Sequence, residues 1–303
     1  MNLMVSGSTG FVGKNLINYL KKSALGIIPL TTDELSSGRY QKISKCDVII
    51  HLAGKAHDIK MVAQPDEYYH VNYELSKRLF DSFIKSDAKK FIFISSVKAS
   101  ADRVKGLLAE SHIPNPETHY GKSKLMAEEY IQNSVLPDGK SFYILRPSMI
   151  HGPGNKGNLN LLYKLASIGI PWPLGAFENK RSFCSIDNLM FIIKELVERE
   201  DIPSGVYNVA DDEALSTSEV ISILAKSQNR KARIWKISRG LIQSLAKLGG
   251  VLRLPLTSER LQKLTESYVV SNKKIKNVIG IDLPISAKDG LLKTFNSFHT
   301  NAQ

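Results

Sequence analysis

The sequence predicts an α/β fold, in which a doubly wound parallel sheet is followed by a smaller C-terminal lobe. Short apolar runs alternate with amphipathic helical patterns along the first half of the chain. A glycine-rich turn directly follows the first run, and glycine, proline and asparagine become frequent after Arg146. Strands and helices that alternate in this way connect through right-handed crossovers, which cover both faces of a parallel sheet with helices.

The strands are predicted from continuous apolar blocks bounded by polar residues, which are typical of strands buried on both faces. Such blocks occupy residues 3–6, 47–53, 90–95 and 142–146. The helices between them are predicted from apolar residues at helical spacing, in KNLINYLKKS, in 67–86 and in 120–131.

The chain beyond Arg146 is expected to begin with long ordered loops, MIHGPGNKGNLN and GIPWPLGAFENKRS. SFCSIDNLMFIIKELVE predicts a strand and a helix that return to the first domain, and GVYNVA predicts another strand. Ser216 and Glu219 predict a capping box at the start of a later helix. The expected division is a main domain of residues 1–150 with 183–201, and a smaller lobe of residues 151–182 with 202–303.

Composition and cysteine content indicate an ordinary globular chain of 303 residues, 43% hydrophobic and 23% charged. No stretch approaches the roughly 18–20 apolar residues of a membrane span, and MNLMVSGSTG lacks the pattern of a signal peptide. Cys46 and Cys184 lie in segments predicted as buried strands. We therefore expect no disulfide framework, no metal site and a cytoplasmic location.

The net charge of +12 has three interpretations: nucleic-acid binding, attraction to anionic lipid, or capture of a phosphorylated ligand. The lysines are spread along the chain, which favours a mostly solvated surface. Nucleic-acid binding is disfavoured because no recognition motif or interleaved aromatic stripe accompanies the charge.

The motif GSTGFVG places Gly7, Gly10 and Gly13 between the first strand and the first helix. Glycines at this spacing permit a tight turn, close approach of a pyrophosphate to the backbone, and close packing of helix on sheet. The context of strand, turn and helix therefore predicts a Rossmann-like dinucleotide site. An acidic residue at the end of the second strand would favour NAD, but Thr31 occupies that position, so NADP stays open.

A second constellation consists of Tyr120 and Lys124, which share one face of the predicted helix. A neighbouring ammonium group favours the phenolate and is expected to bring the pKa of the tyrosine, ordinarily near 10, towards the working range. Ser96, at the end of a predicted strand, could hydrogen-bond the same substrate oxygen. This arrangement predicts acid/base chemistry at a hydroxyl or keto group.

Further motifs extend the pattern over almost the whole chain: HLAG at 51–54, VNYELSK, SS at 95–96, YGKSK, RPSMIHGPG and RSFCSIDNL. The chain thus resembles the extended short-chain dehydrogenases/reductases, and among them the nucleotide-sugar epimerases/dehydratases. The resemblance implies that Tyr120 is the acid/base, that Lys124 modulates its pKa and contacts ribose, and that Ser96 orients the oxygen on sugar C4. It also implies a cofactor site formed by Gly7, Thr9, Gly10, Phe11, Val12, Gly13, Thr31, Leu52, Ala53, Gly54, Asn72, Ser95, Tyr120, Lys124 and Pro147.

The resemblance also implies a nucleotide-sugar substrate, most simply UDP-linked, in the smaller lobe. Arg181 is expected on the substrate pyrophosphate with Asn158 or Asn160 near it, and Lys98 is a further expected substrate contact. Homodimerisation through a two-helix face is common in such proteins and is possible here.

The sequence departs from the family pattern at three places, and the first of them bears on the function. SSVKASA lacks the acidic residues that dehydratases place after the catalytic serine or threonine, so dehydration is not expected. The stretch between Thr31 and Asp47 is too short for one complete strand-helix unit of the usual sheet, and Asn188 stands where an aspartate is common.

The leading hypothesis is a UDP-hexose or UDP-N-acetylhexosamine 4-epimerase of surface-polysaccharide biosynthesis, which uses NAD and a 4-keto intermediate. The second is a 4-ketoreductase acting on a UDP-4-keto-6-deoxy-N-acetylhexosamine, because it needs the same three side chains. A third, a non-catalytic dinucleotide sensor, is disfavoured because such proteins commonly lose the tyrosine or the lysine.

Overall fold

The computed structural model describes residues 1–21, 23–55, 64–155, 159–160, 162–163, 169, 171–251 and 257–300. The strands, in chain order, are β1 Asn2–Ser6, β2 Gly26–Leu30, β3 Val48–His51, β4 Lys90–Ile94, β5 Leu107–Leu108, β6 Ser141–Pro147, β7 Met149–His151, β8 Phe183–Ser185, β9 Gly205–Val209 and β10 Val269–Val270. The helices are α1 Phe11–Leu20, α2 Thr32–Ser37, α3 Pro65–Tyr69, α4 Leu75–Lys85, α5 His119–Asn133, α6 Ile186–Glu198, α7 Thr217–Ser227, α8 Arg239–Val251, α9 Ser258–Thr265, α10 Lys273–Ile279 and α11 Ala287–Thr300. A π-helical turn, His70–Glu74, joins α3 to α4.

The central sheet has six parallel strands in the order β2-β1-β3-β4-β6-β9. Chain direction across the sheet reverses at β1, whose neighbours are β2 on one side and β3 on the other. A ligand crevice is expected at the carboxyl ends of the strands beside such a switch point. Among the described strands, β2 alone flanks β1 on that side, as expected from the short stretch between Thr31 and Asp47.

Apolar side chains cover both faces of this sheet, which confirms the doubly wound fold. On one face, Leu3 and Val5 of β1 pack in a core that includes residues of α1 and α6. On the other face, Met4 belongs to a second core formed with residues of α4 and α5. Because successive residues of a strand point to opposite faces, neighbours in β1 belong to different cores.

Strand β9 corrects one detail of the expected division of the chain. The sequence pattern places its residues in the smaller lobe, but Gly205–Val209 pairs with β6 and forms an edge of the main sheet. Conversely, β8 pairs with β7 outside the main sheet, while α6, which follows β8, packs on the main core. The remainder of the domain division stays a prediction.

Two further sequence expectations can be placed. Cys184 lies in β8, whereas Cys46 lies two residues before β3 and not in a strand; both are free and buried. The capping box of Ser216 and Glu219 is present at the start of α7. Among the described residues, no helix is long and apolar enough to cross a membrane.

Candidate active site

The turn after β1 requires glycine at two of its three glycine positions. Gly7 has a φ of 69°, and a Cβ there would lie 2.6 Å from the main-chain nitrogen of Ala53. A Cβ on Gly13 would lie 2.3 Å from the carbonyl oxygen of Gly7. Gly10 differs, since it is exposed and a Cβ there would meet that same oxygen at 3.3 Å. Gly7 and Gly13 therefore serve the fold, whereas Gly10 leaves space open above the helix.

That space lies at an uncapped helix N-terminus. Gly10 is the N-cap of α1, it provides no capping side chain, and the first turn of α1 holds no acidic residue. By contrast, Thr31, Thr118, Ser185 and Ser216 cap α2, α5, α6 and α7 with their side chains. The first N–H groups of α1 are thus available to an anion, and the helix dipole favours negative charge there. Thr9 is exposed and Phe11 and Val12 are partly buried at this end.

The residues that follow β3, Leu52, Ala53 and Gly54, lie beside the glycine turn and form a wall of the expected crevice. Asn72, which is fully buried in the π-helical turn, holds this wall in place. Its Oδ1 accepts a hydrogen bond from the main-chain nitrogen of Lys55 at 2.8 Å, and its Nδ2 donates to the carbonyl oxygen of Lys55 at 3.1 Å. Nδ2 also lies 3.0 Å from the hydroxyl of Ser123 on α5, so Asn72 links the wall to the helix that carries Tyr120.

A buried histidine, which the sequence motifs do not single out, supports the end of β1 and this wall. The ring nitrogens of His51 lie 2.6 Å from the hydroxyl of Ser6 and 2.8 Å from that of Ser76. The Ser6 hydroxyl also accepts a hydrogen bond from the main-chain nitrogen of Ala53 at 3.2 Å. Burial, and to a smaller extent the charge of Lys124, lower the pKa of His51 to about 3, so the ring is neutral near pH 7.

The three predicted catalytic side chains come together at the carboxyl end of β4. Ser96 follows this strand by two residues and caps the short helical turn Val97–Ala99. Its side chain hydrogen-bonds that of Tyr120, which lies in the first turn of α5. One turn further along α5, the Nζ of Lys124 donates to the carbonyl oxygen of Ile94 at 3.0 Å. Lys124 also lies beside Gly54, because a Cβ on that glycine would be 2.9 Å from Nζ.

The electrostatics of this pair differ from the expected direction at the tyrosine. Burial raises the pKa of Tyr120, and the hydrogen bond from Ser96 opposes that rise only in part. Burial also lowers the pKa of Lys124 to about 8, while the carboxylate of Glu128 acts in the opposite direction. The expected lowering of the tyrosine pKa by Lys124 is therefore not seen.

An ion pair beneath the site escaped the sequence analysis. Glu128 is fully buried and accepts hydrogen bonds from the Nε of Arg146, at 3.0 Å and 3.1 Å to its two oxygens. Ser95, which is predicted to contact the cofactor, donates its hydroxyl to Glu128. Glu128 lies four residues after Lys124 and eight after Tyr120, so helical spacing alone places all three on one face.

The loop after Ser96 is fastened to the smaller lobe by Tyr268. The Tyr268 hydroxyl donates towards the carbonyl oxygens of Val97 and Ala101, at 3.2 and 2.6 Å. Lys98 lies over the ring of Tyr268, with Nζ 4.6 Å from the ring centroid, and donates to the carbonyl oxygen of Asp102 at 2.7 Å. Burial lowers the pKa of Lys98, the charge of Arg181 lowers it further, and Asp102 and Glu266 oppose this. Lys98 and Arg181 therefore belong to one electrostatic cluster.

Arg181 already has protein partners in this structure. Its Nε donates to the carbonyl oxygen of Glu266 at 3.1 Å, and its guanidinium lies 3.3 Å from the Glu266 carboxylate. It also lines a mainly apolar cavity of about 170 Å³, together with Lys263 and with Leu159, Phe183, Leu215 and Val220 among others.

Two of the remaining predicted residues, Asn160 and Thr31, already have protein partners. Asn160 donates to the carbonyl oxygen of Asn155 at 2.8 Å, and its buried Oδ1 has no hydrogen-bond partner in the described part of the chain. Asn158 lies outside the described residues. Thr31 follows β2 as expected, but its hydroxyl is engaged with Glu34 in a capping box. Pro147 ends β6 at the same edge of the sheet.

Comparison with known proteins agrees with this geometry. Residues 3–210 match the model of the NAD dependent epimerase/dehydratase family. The chain is 29% identical to a UDP-glucose 4-epimerase of Vibrio cholerae, over 98% of this chain and 95% of that protein. It is also 29% identical to the N-acetyl-alpha-D-glucosaminyl-diphospho-ditrans,octacis-undecaprenol 4-epimerase of Escherichia coli O157:H7, over 91% of this chain and 84% of that protein.

Among solved structures, the UDP-N-acetylglucosamine 4-epimerase of Bacillus cereus shares the fold, with a TM-score of 0.77 at 18% identity and 99% coverage of both chains. The family match covers more than half of the chain, including the glycine turn, Ser96, Tyr120 and Lys124. The chain therefore belongs to the NAD dependent epimerase/dehydratase family.

Proposed function

We propose that this protein is a sugar-nucleotide 4-epimerase that keeps NAD bound and acts on a UDP-linked hexose or N-acetylhexosamine. The observation that carries the proposal is the meeting of Ser96, Tyr120 and Lys124 beside the glycine turn. Likeness to the Vibrio cholerae UDP-glucose 4-epimerase over nearly the whole chain supports it.

The residues around the crevice suit a dinucleotide. In the proposal the pyrophosphate lies on the N-terminus of α1, above Gly10, and the nicotinamide half lies between the ends of β3 and β4. Asp33 and Glu34 in the first turn of α2 would repel a 2′-phosphate at the end of β2, which favours NAD over NADP. Bound NAD would accept a hydride from sugar C4 and later return it.

The side chains of this chain would manage the accompanying proton. Tyr120 would remove the proton of the 4-hydroxyl group, and Ser96 would hydrogen-bond the same oxygen. Lys124 would contact the ribose and, when charged, stabilise the phenolate. After the 4-keto sugar has rotated in the site, return of the hydride to the other face of C4 and of the proton to the oxygen would complete the inversion. Because burial raises the pKa of Tyr120, this proton transfer would depend on positive charge that stabilises the phenolate, which Lys124 supplies when it is protonated.

The substrate would occupy the side of the crevice nearer the smaller lobe. Lys98 and Arg181 supply positive charge for a diphosphate there, and Asn158 and Asn160 are the proposed polar contacts. The Escherichia coli relative acts, by its name, on a sugar diphosphate linked to undecaprenol. Since both substrate types present a diphospho-sugar, the polyprenyl form is the second substrate to assay.

The cytoplasm is the proposed compartment, in keeping with two free cysteines; homodimerisation stays a prediction.

The proposal is tested by identifying the cofactor released from freshly purified, denatured protein and by following UDP-glucose and UDP-N-acetylglucosamine during incubation. NAD in near-equimolar amount, with interconversion at C4 and no added cofactor, is the expected result. Tyr120→Phe should abolish turnover and keep the NAD. Tyr130→Phe is the matched control, since Tyr130 lies on the same helix and hydrogen-bonds Asp81 instead. Consumption of added NADH or NADPH with a 4-keto sugar nucleotide would identify a reductase and overturn the proposal.

A further inference from the structure

The helix Arg239–Val251 carries an apolar stripe that the described part of the protein does not cover. Leu241, Leu245 and Leu248 are 54%, 48% and 53% exposed, and their spacing places them on one face of the helix. The adjacent face is buried, because Ile242 and Ala246 pack in a core with Leu174, Leu261 and others. The buried face suffices to attach the helix, so the exposed leucines are in excess of what the described packing uses.

An exposed tryptophan lies just before this helix, and its main chain is hydrogen-bonded through both its N–H and its carbonyl group. Trp235 is 56% exposed, yet its main-chain nitrogen donates to the carbonyl oxygen of Trp172 at 2.8 Å. Its own carbonyl oxygen accepts from the nitrogen of Gly175 at 3.0 Å. The support beneath is shared with the helix, because Trp172 and Phe177 pack against the core that contains Ile242. The same apolar core therefore supports the segment of Trp235 and the helix that carries the leucine stripe.

The charge of this segment is one-sided. Residues 220–258 contain eight lysines and arginines and no aspartate or glutamate: Lys226, Arg230, Lys231, Arg233, Lys236, Arg239, Lys247 and Arg253. Lys231, Arg233, Lys236 and Lys247 are exposed, and none of them forms an ion pair with an acidic residue of the described ranges. Much of the unexplained positive charge of the chain is thus concentrated beside the exposed apolar residues.

A cavity of about 640 Å³ borders the same segment. Its lining combines apolar side chains with three cations, and includes Leu162, Pro171, Trp172, Ile221, Ala225, Arg230, Lys231 and Arg233. Apolar surface next to positive charge is the chemistry that matches an anionic amphiphile.

We propose that Trp235, Leu241, Leu245 and Leu248, with the cations around them, form a docking surface for an anionic lipid bilayer. An aromatic ring and leucines suit the boundary between headgroups and acyl chains, and lysine and arginine suit anionic headgroups. A nucleic acid would match the cations but not the leucine stripe, and a second copy of this equally basic segment would be repelled. The surface does not depend on the proposed catalytic activity.

Sedimentation of the purified protein with lipid vesicles tests the proposal. We expect binding to vesicles of phosphatidylglycerol mixed with phosphatidylcholine, no binding to phosphatidylcholine alone, and weaker binding as salt concentration rises. The fluorescence of the protein should shift to shorter wavelength on binding, and Trp235→Phe should remove that shift.

Two sets of variants separate the surface from general effects. Leu241→Ser, Leu245→Ser and Leu248→Ser combined should lower the affinity for anionic vesicles at least tenfold. Ile113→Ser with Val135→Ser should not, although these residues are 84% and 89% exposed. Lys231→Gln, Arg233→Gln and Lys236→Gln combined should weaken binding more than the same changes at the exposed Lys85, Lys89 and Lys105.

Each variant is first checked for an unchanged thermal unfolding temperature and an unchanged circular-dichroism spectrum, so that loss of binding cannot be confused with misfolding. Binding of the triple leucine variant like wild type would overturn the proposal, as would equal binding to neutral vesicles. A change from dimer to monomer in that variant without vesicle binding by wild type would identify a second copy as the occupant. Capture of a DNA duplex, without vesicle binding, would identify a nucleic acid.

Discussion

The Nζ of Lys124 donates a hydrogen bond to the main-chain carbonyl oxygen of Ile94 at 3.0 Å. This bond ties α5, which carries Tyr120, to the end of β4, which leads into Ser96. The lysine is 4% exposed, and burial lowers its pKa to about 8. The fold therefore fixes the position of the ammonium group, and the group gains or loses its proton near pH 8.

This burial predicts that Lys124→Met changes the pH dependence of stability. Below pH 8 the folded wild type must keep a charged lysine buried, whereas the unfolded chain holds its proton up to about pH 10.5. The wild-type free energy of unfolding should therefore rise between about pH 8 and 10.5, by roughly 3 kcal/mol from this group. Lys124→Met should lack that rise, as measured by urea unfolding of the cofactor-free protein.

The control for this experiment is a variant of a lysine that is not buried. Lys122→Met, two residues away on the exposed side of α5, should keep the rise. Parallel pH profiles for wild type and Lys124→Met would show that the ammonium is not desolvated as the structure indicates.

Substitutions in the glycine turn are predicted to affect NAD binding at Gly10 and stability at Gly13. Gly10→Ala should leave stability within about 1 kcal/mol, because the added Cβ meets only one atom at 3.3 Å. It should nevertheless weaken NAD binding at least tenfold, since the methyl group enters the proposed pyrophosphate space. Gly13→Ala should destabilise by about 1–3 kcal/mol, because its Cβ would lie 2.3 Å from a backbone oxygen. Calorimetric NAD titration and urea unfolding, both of the cofactor-free proteins, measure the two effects, and unchanged affinity in Gly10→Ala would place the cofactor elsewhere.

Local patterns were sufficient for most of the fold. The apolar blocks at β3, β4 and β6 and the glycine turn each predict structure from adjacent residues, and the short stretch from Thr31 to Asp47 predicts the missing unit. The edge position of β9 was not predictable in this way. GVYNVA is an apolar strand pattern in either lobe, and only its pairing of Tyr143 with Gly205, far apart in the chain, assigns it to the main sheet.

In the candidate site, too, local sequence patterns predict some residues and miss those whose contacts are distant in the chain. Tyr120, Lys124 and Ser96 follow from spacing and strand ends, and Glu128 could have been found from the same helical spacing. Tyr268 carried no signal, since its contacts with Val97 and Ala101 bridge more than 160 positions. The raised pKa of Tyr120 also depends on three-dimensional burial, which outweighs the local argument from a nearby lysine.

The buried pair of Glu128 and Arg146 predicts a large effect of removing one partner. Glu128→Gln leaves the guanidinium of Arg146 buried without a compensating charge, which should destabilise the protein by about 3–5 kcal/mol. Combining it with Arg146→Met should recover part of this loss, because no isolated charge remains. Glu198→Gln, which breaks the exposed pair with Lys194, should cost less than about 1 kcal/mol. Urea unfolding measures wild type, Glu128→Gln, Arg146→Met, their double variant and Glu198→Gln. Strict additivity of the two single changes in the double variant would refute the coupling.

Acid sensitivity is predicted from the contact of His51 with Ser6 and Ser76. The folded protein holds this ring neutral down to about pH 3, whereas the unfolded chain takes up its proton near pH 6.5. Stability from this group is therefore fully present above pH 6.5 and declines as the pH falls, by about 2 kcal/mol at pH 5. His51→Gln should be less stable than wild type at pH 7, through loss of its hydrogen bonds, and that difference should shrink by about the same 2 kcal/mol at pH 5. The exposed His112→Gln should follow the wild-type profile. A constant difference between wild type and His51→Gln from pH 7 to 5 would mean that His51 becomes protonated without unfolding, and the neutral link from His51 to Ser6 and Ser76 would have to be abandoned.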